Sequence, residues 1–148
     1  HDIVMSREFD APRELVFEAW TRTEHVRRWY AGCMGMEVIV CDIDLRVGGR
    51  YRYVLRMENG EEHGFAGEYR EIGPPEKLVH THIYDPFPQS VAVVTITFED
   101  LGGRTLMTEV TAHPTKESRD GHVMSGMEEG ATGALDALEE LLGTLHEA

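Results

Sequence analysis

Gly126-Met127-Glu128-Glu129-Gly130-Ala131-Thr132-Gly133-Ala134-Leu135-Asp136-Ala137-Leu138-Glu139-Glu140-Leu141-Leu142 is the stretch whose spacing decides the fold. Its apolar residues, with Met124 before them and Leu145 after, recur at every third or fourth position and mark one face of a helix. Glu128, Glu129, Asp136, Glu139 and Glu140 fall largely off that stripe and read as the solvated side. Pro114 stops whatever precedes it, and Thr115 can cap the free amides that follow. The spacing predicts one long helix from about Thr115 to Leu145.

Toward the N-terminus the period changes to two. Strands are predicted over 36–45, 50–57, 62–72, 77–84, 91–99 and 104–112, with a short one over Ile3 to Phe9. Between them stand Gly48-Gly49, Asn59-Gly60, Gly73-Pro74-Pro75, Pro86 with Pro88, and Gly102-Gly103. Asn-Gly and Gly-Gly supply the positive φ angles of tight hairpins, and hairpins pair strands antiparallel. Asp10-Ala11-Pro12 opens a helix to about Trp20, with Asp10 as cap. Thr23 caps a second, short helix on which Val26, Trp29 and Tyr30 share a face. The class is α+β: a curved antiparallel sheet wrapped around a long C-terminal helix, in a single domain over residues 1–148.

Faces follow from parity. Tyr51, Tyr53 and Leu55 alternate with Arg50, Arg52 and Arg56, so the tyrosines face the helix and the arginines face water. Phe65, Gly67 and Tyr69 point inward, as do Val94, Ile96 and Phe98. The strand over 104–112 leaves two parities open. Hydrophobicity turns Leu106, Val110 and Ala112 inward; the alternative turns Met107 and Glu109 inward.

Bulk properties narrow the function classes. A net charge of −13, from 27 acidic and 14 basic residues, argues against sequence-independent nucleic-acid binding and against an anionic membrane surface. Cys33 and Cys41 form no zinc-ligand spacing. No apolar run spans a bilayer and no leader precedes the first strand, so a cytoplasmic protein is expected. His1 in place of Met suggests trimming, a tag remnant or a missing upstream segment.

Several ordered motifs carry a resemblance. They are Arg7-Glu8-Phe9-Asp10-Ala11-Pro12, Val16-Phe17-Glu18-Ala19-Trp20, Arg28-Trp29-Tyr30 and Asp44-Leu45-Arg46-Val47-Gly48-Gly49. Gly67-Glu68-Tyr69-Arg70-Glu71-Ile72, Pro74-Pro75-Glu76-Lys77-Leu78-Val79, Gly126-Met127-Glu128-Glu129-Gly130 and Leu135-Asp136-Ala137-Leu138 follow in order. Together they resemble the activator-of-heat-shock-protein-ATPase homologue family of the SRPBCC superfamily, which includes START lipid-transfer domains and polyketide cyclases. The resemblance implies a helix-grip fold with a cavity between sheet and terminal helix. It implies no particular ligand, because members of one fold differ in chemistry. Chaperone-activating members carry a further N-terminal domain that these residues lack, which weighs against a chaperone partner. The family's large aromatic after the Gly-Met-x-x-Gly element is Ala131 here. Exchanging an indole for a methyl removes on the order of 100 Å³ of filling.

The candidate apolar wall of a ligand site is Trp29, Tyr51, Tyr53, Phe65, Tyr69, Ile96, Met127, Ala131 and Leu135, with His82, Tyr84 and Glu109 to orient polar atoms. The expected ligand is a small, mostly apolar molecule. His80 and His82 share one side of a strand, but two imidazoles do not fill a metal site, so no metal or cofactor is expected. No catalytic residue is assigned. An enzyme resembling polyketide cyclases would use Glu109 or His82 as general acid or base, and a co-chaperone module would need an exposed apolar patch on the outer face.

Overall fold

A computed structural model describes residues 1–30, 36–124 and 127–147, with the side chains of 123–130, 146 and 147 outside the description. The elements run β1 (Asp2–Phe9), α1 (Arg13–Thr21), α2 (Thr23–Trp29), β2 (Glu37–Ile43), β3 (Arg50–Arg56), β4 (Glu62–Gly73), β5 (Lys77–Tyr84), β6 (Ala92–Asp100), β7 (Thr105–Ala112), α3 (Lys116–Met124) and α4 (Met127–Glu147). The seven strands form one antiparallel sheet in the order β1-β7-β6-β5-β4-β3-β2. The six predicted hairpin-linked strands are therefore a meander, and β1 adds to its far edge beside β7.

The expected long helix is α3 and α4, with residues 125–126 between them outside the description. The leucines of the amphipathic stripe all lie on α4, while residues 116–122 of α3 hold no apolar side chain. Thr115 caps as expected: its Oγ1 accepts the Ser118 amide at 3.0 Å. Two other expected caps are not used. α1 starts after Pro12, whose carbonyl accepts from Leu15 and Val16, while Asp10 turns to Arg104 at 3.3 Å. α2 is preceded by Arg22 and has no side-chain cap.

The helices lie on the concave face. Leu135, Leu138, Leu141 and Leu142 of α4 join Val16, Phe17, Val26 and Trp29 of α1 and α2 against Phe9, Leu78, Ile96, Phe98 and Met107. Phe17 meets Phe98 edge-on at 5.6 Å. Arg7 ties α4 to the sheet margin through Asp136 at 2.7 Å and Glu139 at 2.8 Å. Residues opposite one another in antiparallel strands share a face. The register thus resolves the parity of β7. Glu109 lies opposite Ile96, and Met107 opposite Phe98, so both point inward with Thr105 and Thr111.

Candidate functional site

The concave surface beyond that core is aromatic and polar. Rows across the sheet align Met5, Glu109, Ile96 and Leu78, then Ile3, Thr111, Val94, His80 and Tyr69, then Ala92 and His82. On β3 and β4 the inward residues are Tyr51, Tyr53, Phe65, Gly67 and Tyr69. The ring of Tyr30, at the end of α2, lies 4.7 Å from Tyr53 and 6.4 Å from Phe65. Tyr51 stands 4.9 Å from Tyr53 and 5.6 Å from Tyr69, and Phe65 stacks on His82 at 5.4 Å and on Tyr84 at 5.2 Å. A continuous wall of rings results.

Gly67 makes this arrangement possible. A Cβ there would collide with the Thr81 carbonyl and the Tyr51 ring. Without it, Tyr51 reaches across β4, and its hydroxyl bonds the Thr81 carbonyl at 2.8 Å and His82 Nδ1 at 2.9 Å. The hydroxyl has one proton, and a carbonyl can only accept it. Tyr51 therefore donates to Thr81, and His82 Nδ1–H donates to Tyr51. His80 Nδ1, 2.8 Å from the same carbonyl, also carries its proton. Both imidazoles thus have a bare Nε2, with no partner for either among the described residues. Burial lowers both pKa values, that of His82 to about 3 with further repulsion from His80, His122 and His113.

Glu109 is the odd group in this wall. Its carboxyl has no hydrogen bond or ion pair among the described residues, and burial alone pushes its pKa up to about 7. Yet the residue is only half-buried by accessible surface. It is surrounded by protein yet keeps accessible surface. Tyr30, whose hydroxyl likewise lacks a partner among the described residues, lies within electrostatic reach: burial and then Glu109 raise its pKa. Burial also holds Tyr51 and Tyr53 well above the ordinary phenol value and raises Tyr69 to about 12.

Tyr51, Tyr53, Phe65, Tyr69, His82 and Glu109 thus occupy one concave surface. Trp29 is in the core between α1 and α2, its indole N–H donating to the Ala19 carbonyl at 2.8 Å. Ile96 and Leu135 are closed into the core, and Ala131, one turn before Leu135, is half-buried. Tyr84 turns to the edge of the wall, where its hydroxyl bonds His63 Nδ1 at 2.6 Å. The Met127 side chain lies outside the described residues, as do Ala31, Gly32, Cys33 and Gly126. Sequence reasoning left Tyr30 and His80 out of the wall. The available signals were the parity His80 shares with His82 and the helix face Tyr30 shares with Val26 and Trp29. Among the described residues no three His, Cys, Asp or Glu side chains gather to hold a metal. No described helix is long and apolar enough to cross a membrane.

The convex face differs. A depression of about 420 Å³ there is lined by Asp42, Arg50, Arg52, Glu68 and Ile83 among others. Arg52 is held by both oxygens of Asp85 at 2.6 Å, directly over Gly64. Its charges of both signs neutralise one another.

The family profile described as "Activator of Hsp90 ATPase homolog 1-like protein" matches residues 10–143. The chain belongs to this family. A crystal structure from Nitrosomonas europaea is similar to this member with 25% identity and a TM-score of 0.88, covering 99% of this chain and 97% of that one. One from Rhodobacter sphaeroides is similar at 25% identity and a TM-score of 0.89, covering 97% and 93%. The solution structure of an AHSA1-like protein from Aeromonas hydrophila shares the fold at 22% identity and a TM-score of 0.74, covering 97% and 94%. Among proteins with curated descriptions, none matches the sequence. Family membership establishes the helix-grip fold of this AHSA1-like chain.

Proposed function

We propose that this AHSA1-like domain binds a small, mostly apolar molecule between the sheet and α4. The supporting observation is Glu109: an inward-facing carboxyl that retains accessible surface and, like the nearby hydroxyl of Tyr30, has no partner among the described residues. Buried polar groups in folded proteins are almost always hydrogen-bonded, so unpaired ones facing an interior space call for a ligand or water to complete them. Tyr51, Tyr53, Phe65 and Tyr69 supply the apolar wall, and Ala131, on the α4 face shared with Leu135 and Leu138, leaves room that an aromatic would fill.

Native mass spectrometry of the purified protein tests this, with Ala131→Phe as comparison. The wild-type protein is expected to carry, or to take up from a mixture of apolar small molecules, an adduct that Ala131→Phe loses while remaining folded. Absence of any adduct in both, or equal retention in both, would overturn the reading.

One observation favours a second reading. A carboxyl with pKa near 7 is suited to take and return a proton at neutral pH, so Glu109 could serve as general base toward a bound carbonyl compound. Turnover of such compounds that disappears in Glu109→Gln would support it over simple carriage. A co-chaperone role through the convex face has less support, since Arg50, Arg52, Arg56, Glu62 and Glu68 cover β3 and β4 there.

A further inference from the structure

We infer that the site selects an apolar amine bound as its ammonium ion, and rejects carboxylates, phosphates and sulfates of the same size. The inference rests on the ligand-binding reading above and names the chemistry of that ligand. Its basis is a census of the inward-facing strand positions. From β1 to β7 they are occupied by apolar residues, Gly67, Cys41, tyrosines, threonines, histidines, one arginine and two carboxylates, of which Asp100 at its strand end accepts the amides of Gly102 and Gly103. The arginine is Arg7, already engaged by Asp136 and Glu139. No strand presents a free cation to an anionic ligand.

Apart from tyrosine hydroxyls, the unused polar atoms named here are acceptors. His80 and His82 each present a bare Nε2, because their Nδ1 protons are committed to Thr81 and Tyr51. Glu109 offers two oxygens with no partner among the described residues. The free donors are the hydroxyl of Tyr30 and one hydroxyl of the Tyr53–Tyr69 pair, and none of them carries charge. An incoming carboxylate would therefore meet lone pairs and a like charge, with only neutral hydroxyls to answer it. An ammonium would meet its complement: a carboxylate in a poorly solvated site, where opposite charges attract strongly. The rings of Tyr30, Tyr53, Tyr51 and Tyr69, clustered 4.7–5.6 Å apart, add π faces that attract cations. The net charge of −13 acts in the same direction at long range by concentrating cations near the surface.

Tyr51 is a positioning residue in this scheme. Its hydroxyl fixes which His82 nitrogen is protonated, so His82 accepts from the ligand and does not donate to it. A neutral alcohol would also satisfy the imidazoles, but it would leave the charge of Glu109 uncompensated.

Three naphthalene probes of matched size separate these cases: 1-naphthylmethylamine, 1-naphthalenemethanol and 1-naphthoic acid, titrated calorimetrically at about pH 8, where the carboxyl is ionised and the amine still charged. The amine is expected to bind about tenfold more tightly than the alcohol, with the acid weakest. Glu109→Gln, nearly isosteric, should remove the amine's advantage and leave the alcohol within about threefold of its wild-type affinity. Equal or tighter binding of the alcohol or the acid would overturn the assignment while leaving a ligand-binding domain in place. Failure of all three probes, together with the absence of a copurified adduct, would overturn both. The ranking on wild-type protein decides the matter even if the variant fails to fold.

Discussion

The concave side of the sheet holds two regions that share strands but not chemistry. On one side of the Glu109–Ile96–Leu78 row lie Phe9, Phe98, Met107, Val16, Phe17, Leu138 and Leu142, all apolar and almost wholly inaccessible. On the other lie Tyr30, His80 and His82, which, like Glu109 in the row itself, keep accessible surface and carry polar atoms without partners among the described residues. The change takes two residues along β7, from Met107 to Glu109. The contrast teaches where stability is concentrated: the packed region supplies it, and so the other region can hold groups that cost stability. Such local departures from good packing are expected where a protein acts.

The largest expected effect breaks the packed side. Leu138→Ala, at a fully buried position, should lower unfolding free energy by about 3 kcal/mol, as should Phe98→Ala, measured by urea denaturation. Losses below about 1 kcal/mol would place the stabilising core elsewhere and erase the contrast.

A comparable effect of opposite sign sharpens the polar side. The folded state raises the Glu109 pKa from 4.5 to about 7, so folding holds a proton that the unfolded chain releases. The penalty is absent below pH 4.5, grows as pH rises, and is complete above about 7, where it corresponds to roughly 3 kcal/mol. Glu109→Gln should therefore be more stable than wild type at alkaline pH, with the gain disappearing in acid. A constant difference across the range would show Glu109 to be ordinarily solvated.

The smallest effect concerns the tie between α4 and the sheet margin. Arg7→Gln should cost about 1 kcal/mol or less, because both of its carboxylate partners are substantially exposed. The cost should shrink in high salt, and a salt-independent loss would indicate that the seat of the Arg7 guanidinium over the Phe9 ring matters more than its ion pairs.

Much of the fold was legible because its signals are local. Alternation at Tyr51, Tyr53 and Leu55, glycine at the turns and the leucine spacing of α4 each depend on neighbours a few residues away. The site was only partly legible, because its signals are distant. Residues 104–112 favour Leu106 and Val110 inward on hydrophobicity. The opposite parity holds because Met107 meets Phe98 and Glu109 meets Ile96, pairings known only once β6 and β7 are aligned. The proton position on His82 depends on Tyr51, thirty-one residues earlier in the chain. The capping expectations at Asp10 and Thr23 failed for a related reason: Asp10 found Arg104, far along the chain, in place of the nearby amides.

The position of β1 at the end of the sheet, next to β7, has a consequence for how the chain assembles. Every other ladder joins strands that follow one another in sequence, so it can zip from its own turn. β1 alone must wait, since Asp2 pairs with Ala112 and Phe9 with Thr105. Until synthesis passes those residues, the first strand has no neighbour and the seventh lacks one flank. The strand that carries Glu109 is thus enclosed by the slowest, least local step, after the hairpins have formed.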